Sequence, residues 1–247
     1  LGAYFVWKLP VDYITALTIQ GFISAVGVLL IVFGALVLLH TLEYSGGMET
    51  IQYGMQGVSK DMRGQAIIVG YMFGAFIEGS AGFGTPAALA APFLLALGFP
   101  PLAAAVICLI FNSFSVSFGA VGVIILVGLG TSVTQGITEL AVNSKLFADN
   151  YAFLKYVGET ATLLHAPMIF ILPIFTLGFI TRLFGPNRSW SDGFGAWKFC
   201  LFAAVAFIVP YMLMAWFAGP ELPSMIGGLV GLGIIITGAK NGFCVPK

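Results

Sequence analysis

The 247-residue sequence is 59% hydrophobic and 8% charged, with a mean hydropathy of +1.02, whereas an ordinary soluble domain carries about 25% charged residues. That composition excludes a soluble globular domain and marks an integral membrane protein, in which the useful unit is the spanning segment. Ten Lys and Arg balance ten Asp and Glu, so the basic excess that phosphate neutralisation demands is missing and no nucleic-acid partner is expected.

Cys108, Cys200 and Cys244 are odd in number and widely spaced. That pattern fits neither a disulfide framework nor a zinc site, and the three read as small packing residues. No metal and no cofactor is expected. The opening "LGAYFVW" has the look of the tail of an apolar segment, not of a signal peptide with a basic start, so the chain is expected to be a piece of a longer protein.

Charges punctuate such a sequence, because an intramembrane Asp, Lys or Arg costs about 2.5–3.5 kcal/mol at a helix centre. Tyr13 to Leu39 is free of charge, and "FISAVGVLLIVFGALVLL" from Phe22 supplies a first spanning helix. Residues 41–63 are polar with interspersed Tyr and Met, which suits a loop or an interfacial helix. "GQAIIVGYMFGAFI" from Gly64 is too short to cross alone and runs into Glu78. The next 60 residues, Gly79 to Thr138, carry no charge. As one helix they would be about 90 Å long, some three bilayer cores, so they must fold back. Two punctuators divide them, "GSAGFGTP" and the paired prolines of "LGFPPL".

Residues 131–159 form a polar connection with Glu139, Lys145, Asp149, Lys155 and Glu159. Three further spans are predicted at Thr160–Thr181, Phe199–Gly219 and Leu222–Ala239, the last two joined by the tight "GPELPS" turn. The glycines of "GYMFG" at 70–74 and "GGLVG" at 227–231 read as close helix packing. A β-barrel is excluded, since its strands alternate in roughly ten-residue units. The predicted fold is an all-α polytopic integral membrane protein: a bundle of transmembrane helices in one domain, 1–247, with broken or re-entrant helices near 78–86 and 111–122. Lys60, Arg63, Arg182, Arg188, Lys198, Lys240 and Lys247 group on one side, taken as cytoplasmic.

The stretch "EGSAGFGTPAA" (78–88) carries the chemistry. Inside hydrocarbon every backbone polar group needs an internal partner, so a glycine-rich break implies protein or a water-filled cavity around it. Thr85 and Pro86 read as N-cap and first residue of a new half-helix, whose free N–H groups and positive dipole end face back toward the gap. Discontinuous helices of this kind bind anionic groups in secondary transporters. Gly79, Gly82 and Gly84 keep the approach free of side chains, Phe83 sits between the last two, and Ser80 and Thr85 add hydroxyl donors.

In "FNSFSVSFGAVG" (111–122), Ser113, Ser115 and Ser117 recur with a period of two. An unwound stretch would align their hydroxyls and, with Asn112, complete a polar lining; back-bonding within an ordinary helix is the alternative. Glu78 is the candidate proton carrier, because an ionisable residue within a span marks a substrate or ion pathway. The bland alternative ties Glu78 to a helix end or to the amides that follow it. His165 reads first as a packing or interfacial histidine and second as a proton relay. An enzyme would need a nucleophile with its base or a ligand set, and neither His-Glu-x-x-His nor Gly-x-Ser-x-Gly occurs.

The segment from Phe76 to Gly122, "FIEGSAGFGTPAALAAPFLLALGFPPLAAAVICLIFNSFSVSFGAVG", resembles the lactate permease family of bacterial carriers, and "GPELPS" followed by an apolar helix is similar to a later element of the same proteins. The resemblance implies a secondary carrier in the plasma (inner) membrane, with L-lactate or a similar small carboxylate, protons and membrane lipid as its partners. A small-anion channel, or a carrier for another organic anion, is the rival reading.

Overall fold

Helix is the one open-chain structure that satisfies its own backbone in lipid, and every regular element among the described residues is helical. The computed structural model describes residues 2–56, 59, 61–130 and 147–246. Glu139 and Lys145 of the polar connection lie outside them. The chain forms two compact units, Leu1–Met48 and Glu49–Lys247.

In the first unit a single turn, Gly2–Phe5, precedes α1 (Val11–Tyr44). At 1.5 Å per residue the 34 residues of α1 reach about 51 Å, more than the roughly 30 Å hydrocarbon core. Asp12 in its first turn complements the helix dipole, and Thr15 and Thr18 return their hydroxyls to the carbonyls of Val11 and Ile14 at 2.8 and 2.7 Å. A short helix, α2 (Gly47–Gln56), stands where the polar interfacial stretch is predicted.

In the second unit, α3 runs continuously over 62–81, with π-helical geometry at Ala66–Phe73. Asp61 caps its start by accepting from Arg63 N at 2.7 Å, and pairs with the Arg63 guanidinium at 2.6 Å. Residues 66–73 are all buried. The Tyr71 ring lies against Phe111, Phe114 and Phe207, with centroids 4.9–5.4 Å apart. After a break at 82–84, α4 (Thr85–Ala96) returns along α3, with Phe93 stacked on Phe73 at 5.3 Å. A turn with Gly98 at φ +95° leads into α5 (Pro101–Asn112), and the chain bends by 66° into α6 (Val116–Leu129).

α7 (Asn150–Phe184), α8 (Trp190–Phe194), α9 (Trp197–Phe217) and α10 (Pro223–Lys240) complete the unit, and α7, α9 and α10 are long and apolar enough to cross a membrane. α7 starts ten residues before the predicted Thr160. The reason is local: Asp149 accepts from Ala152 N at 2.8 Å and nucleates the helix early, so Lys155 and Glu159 of the polar connection ride on helix.

Glycines let α3 and α10 pack backbone to backbone. A Cβ on Gly79 would stand 2.2 Å from Met225 N, and one on Gly228 would stand 2.4 Å from Phe76 N. Gly227, Gly228 and Gly231 face Tyr211, Phe76 and Met72, while Gly70 receives Ile107, which is the close packing expected at 227–231 and at Gly70. At one end of the unit Arg63 donates to Asp192 O at 2.6 Å and Arg182 to Arg188 O at 2.7 Å. Asp61, Arg63, Pro100, Pro186 and Asp192 line one cavity of about 390 Å³ there. Arg63, Arg182 and Arg188 therefore share an end, as the charge grouping anticipates; Lys60 and Lys247 lie outside the described residues.

Candidate functional site: two crossed helix breaks

α3 ends where Gly82 N donates to Glu78 O at 2.8 Å. Three residues then turn the chain: Gly82 (φ 68°, ψ −161°), Phe83 (φ 56°) and Gly84 (φ 75°, ψ 16°). The break is narrower than 78–86, and the cap of α4 is Gly84, not Thr85. Glycine takes the left-handed conformation that the tip requires at little cost. Thr85 therefore already lies in the helix, and its hydroxyl donates to Gly82 O at 2.8 Å.

The second break has another build. Ser113 and Ser115 keep right-handed helical backbone, and Val116–Phe118 is a 3₁₀ turn. Ala120, Val121 and Gly122 then stand in left-handed conformation at φ 48°, 56° and 75°. The strand-like alignment of the three serines is thus corrected. Turn geometry sends Ser113 to Ile110 O at the surface, buried Ser115 to Asn112 O at 3.2 Å, and Ser117 toward His165.

The two breaks cross. A Cβ on Gly82 would stand 2.6 Å from Ala120 Cβ and 2.7 Å from Ala120 N, and one on Gly119 would stand 2.6 Å from Glu78 Oε1. Glu78 is fully buried in this crossing, roughly 20 Å along α3 from Arg63 by helix rise. Its Oε2 accepts from Gly84 N at 3.2 Å. Glu78 Oε1 and Asn112 Oδ1 are buried without hydrogen-bond partners.

Of the residues singled out in the sequence, Glu78, Gly82 and Gly84 meet here, while the Asn112 carbonyl receives the Ser115 hydroxyl. Gly79 and Gly82 admit neighbouring chain, while the Cβ direction of Gly84 is open. Ser80 returns its hydroxyl to Phe76 O at 2.8 Å, and Phe83 is half exposed. The bland alternative for Glu78, a tie to the amides that follow, is realised in the Gly84 contact.

His165 stands on the far side of the second break. Tyr211 O–H donates to Phe114 O at 3.2 Å, so His165 Nδ1–H donates to the Tyr211 oxygen at 2.8 Å, and Nε2 faces Ser117 Oγ at 3.5 Å. Ser224 adds a 2.8 Å hydrogen bond to Ser115 O. Tyr211 and Ser224 were not singled out in the sequence; the signal was a hydroxyl inside an apolar span for one and a serine closing "GPELPS" for the other. Tyr211→Phe leaves Phe114 O and His165 Nδ1–H unpaired, at a cost of about 1–3 kcal/mol. Thermal unfolding in detergent should register it as a fall of about 2–4 °C per kcal/mol, whereas an unchanged transition would show that Tyr211 does not hold the second break.

A family model described as L-lactate permease matches residues 2–247. The chain is 32% identical to an L-lactate permease of Salmonella typhi over 227 residues, 92% of this chain and 37% of that protein. It is 32% identical to the glycolate permease GlcA of Escherichia coli over 233 residues, 94% and 37% of the two chains, and 34% identical to an L-lactate permease of Bacillus subtilis over 188 residues, 76% and 29%. The chain thus spans only 29–37% of the length of these relatives. No solved structure matches it. Its apolar spans and these bacterial permeases make it a multi-pass protein of the plasma membrane. With a family-model match over residues 2–247 and relatives at 32% identity across most of its length, the chain belongs to the L-lactate permease family.

Proposed function

We propose that the chain contributes the substrate-binding core of a secondary carrier that moves L-lactate and related small 2-hydroxy monocarboxylates together with a proton. The observation that carries this reading is the burial of Glu78 where the two breaks cross, with its carboxyl on the first amide of a half-helix. Helix N-termini at discontinuities receive anionic groups in transporters, and a buried carboxyl is the kind of group that marks an ion pathway. A proton that moves with a monocarboxylate cancels its charge, which spares the pair about 2.3 kcal/mol per 100 mV of membrane potential. Relatives named for lactate and for glycolate support a substrate of this class. His165, hydrogen-bonded to Tyr211 and facing Ser117, serves here to hold the second break, and Glu78 bears the proton.

The test is uptake of labelled L-lactate into vesicles carrying the natural full-length protein, with and without an imposed pH gradient. Accumulation against the lactate gradient, driven by external acid and accompanied by counterflow, is expected. Flux that merely equilibrates lactate, without counterflow, would replace the carrier by a small-anion channel.

A further inference from the structure

We propose that the cavity at the Arg63 end of the second unit binds a phospholipid with a primary-ammonium headgroup, recognised by Asp192 while the cavity floor takes the start of an acyl chain. The cavity, about 390 Å³, lies between the start of α3, the turn from α4 to α5 and the junction of α7 with α8. Pockets for small ligands begin at about 300 Å³, so the space suits part of a lipid, its headgroup and the first stretch of one chain. The floor is apolar: Ala66, Phe99, Ala103, Leu177 and Ile180 line it and are all buried. The rim is polar, with Asp61, Arg63, Thr181 and Asp192, and exposed Met62 and Pro100 stand beside them.

A phospholipid is divided in the same way, and it is the amphipathic molecule that a membrane supplies at this depth. Trp190, exposed two residues before Asp192, is of the residue type that marks the headgroup level. Leu102 of α5 and Leu183 of α7, both exposed, extend the apolar surface of the elements that frame the cavity, over which the remaining chain length can run.

The rim selects the headgroup because it offers acceptors. Arg63 directs its guanidinium at protein: Nε and Nη2 donate to the Asp61 carboxylate at 2.6–3.1 Å, and Nη1 donates to Asp192 O at 2.6 Å. Thr181 has one hydroxyl proton, already shared among the carbonyls of Leu177, Gly178 and Ser189 at 2.9–3.1 Å, so toward a guest it can only accept. The Asp192 carboxylate accepts from Asn187 Nδ2 at 3.0 Å and, among the described residues, forms no ion pair. Two carboxylates thus stand against one guanidinium on this rim, and the uncompensated charge is on Asp192. A primary ammonium brings the opposite charge and three N–H donors, for which Asp192 and Thr181 are acceptors. A glycerol headgroup brings hydroxyls alone and leaves Asp192 facing the lipid's own phosphate. Arg182, exposed next to Thr181, is available to either phosphate and so does not discriminate.

The test is thermal unfolding of the full-length protein in detergent, with dioleoyl phosphatidylethanolamine, dioleoyl phosphatidylglycerol or the chainless glycerophosphoethanolamine added to the micelles. A ligand that binds only the folded state raises the transition with its concentration, so each titration yields an apparent affinity. The wild-type protein should bind the ethanolamine lipid at least about fivefold more tightly than the glycerol lipid, the effect of one charge at a lipid surface, and the chainless headgroup should leave the transition where it is. Asp192→Asn keeps the contact with Asn187 and should bring the two lipids to within about twofold of each other. Ala103→Leu narrows the floor and should weaken both lipids alike by at least about fivefold, as should Ile180→Phe if the first variant does not fold. A wild-type protein that binds the glycerol lipid as tightly, an Asp192→Asn variant that keeps the preference, a narrowed floor that leaves both affinities unchanged, or a chainless headgroup that acts as strongly as the lipid overturns the proposal. The cavity stands at the other end of α3 from Glu78, so the measurement is independent of the carrier reading.

Discussion

Gly82→Ala is expected to destabilise the protein by about 2–6 kcal/mol and to abolish lactate counterflow. Two costs coincide at this residue. Its backbone, φ 68° and ψ −161°, falls in a region open essentially to glycine alone, and an L side chain there costs of order 1–3 kcal/mol. The added methyl also meets Ala120 Cβ at 2.6 Å and Ala120 N at 2.7 Å; the second of these is backbone and cannot rotate away, so a further cost of about 1–3 kcal/mol from overpacking is expected. The control is Gly84→Ala, also at positive φ but with nothing within 4 Å of the new methyl, for which only the left-handed penalty of about 1–2 kcal/mol applies. Thermal unfolding in detergent ranks the two. If the Gly82 variant proved no less stable than the Gly84 variant, the crossing of the breaks would not be what holds the site.

The crossing also explains why part of the site was legible in the sequence and part was not. The spans were legible because charge is costly in lipid and its absence over some twenty residues has one meaning. The first break was legible because Gly-Phe-Gly before Thr-Pro announces a turn and a helix start, although the cap fell on Gly84, one residue early. The second break was legible only in position. Nothing in the residue types of Ala120 and Val121 advertises left-handed backbone, and for a β-branched residue such as Val121 it is an outlier. What holds it there is tertiary: Gly122 packs on Pro220 O, and Tyr211 and Ser224 fasten the carbonyls of Phe114 and Ser115. The period of two in the serines misleads because alternation is also what a sharp turn produces when its residues point successively outward, inward and sideways. Gly79 and Gly82 read in the sequence as room for a guest; the neighbours that fill that room come from residues 120 and 225, more than thirty positions away.

Glu78→Gln should separate proton coupling from binding. Glutamine has nearly the same shape, and its carbonyl oxygen can accept from Gly84 N–H as Oε2 does now. The fold is therefore retained, and thermal unfolding should stay near the wild-type transition. What glutamine lacks is a proton to gain and lose. One pH unit is worth about 1.4 kcal/mol per proton moved, so a carrier that couples one proton to one lactate concentrates lactate up to about tenfold per unit of imposed gradient. In the glutamine variant that ratio should fall to about one, while counterflow of labelled lactate, which requires no net proton movement, continues in membranes of equal pH. Accumulation that persists in the variant at the wild-type ratio would take the proton role from Glu78, and loss of counterflow along with accumulation would instead give the carboxylate a part in binding lactate.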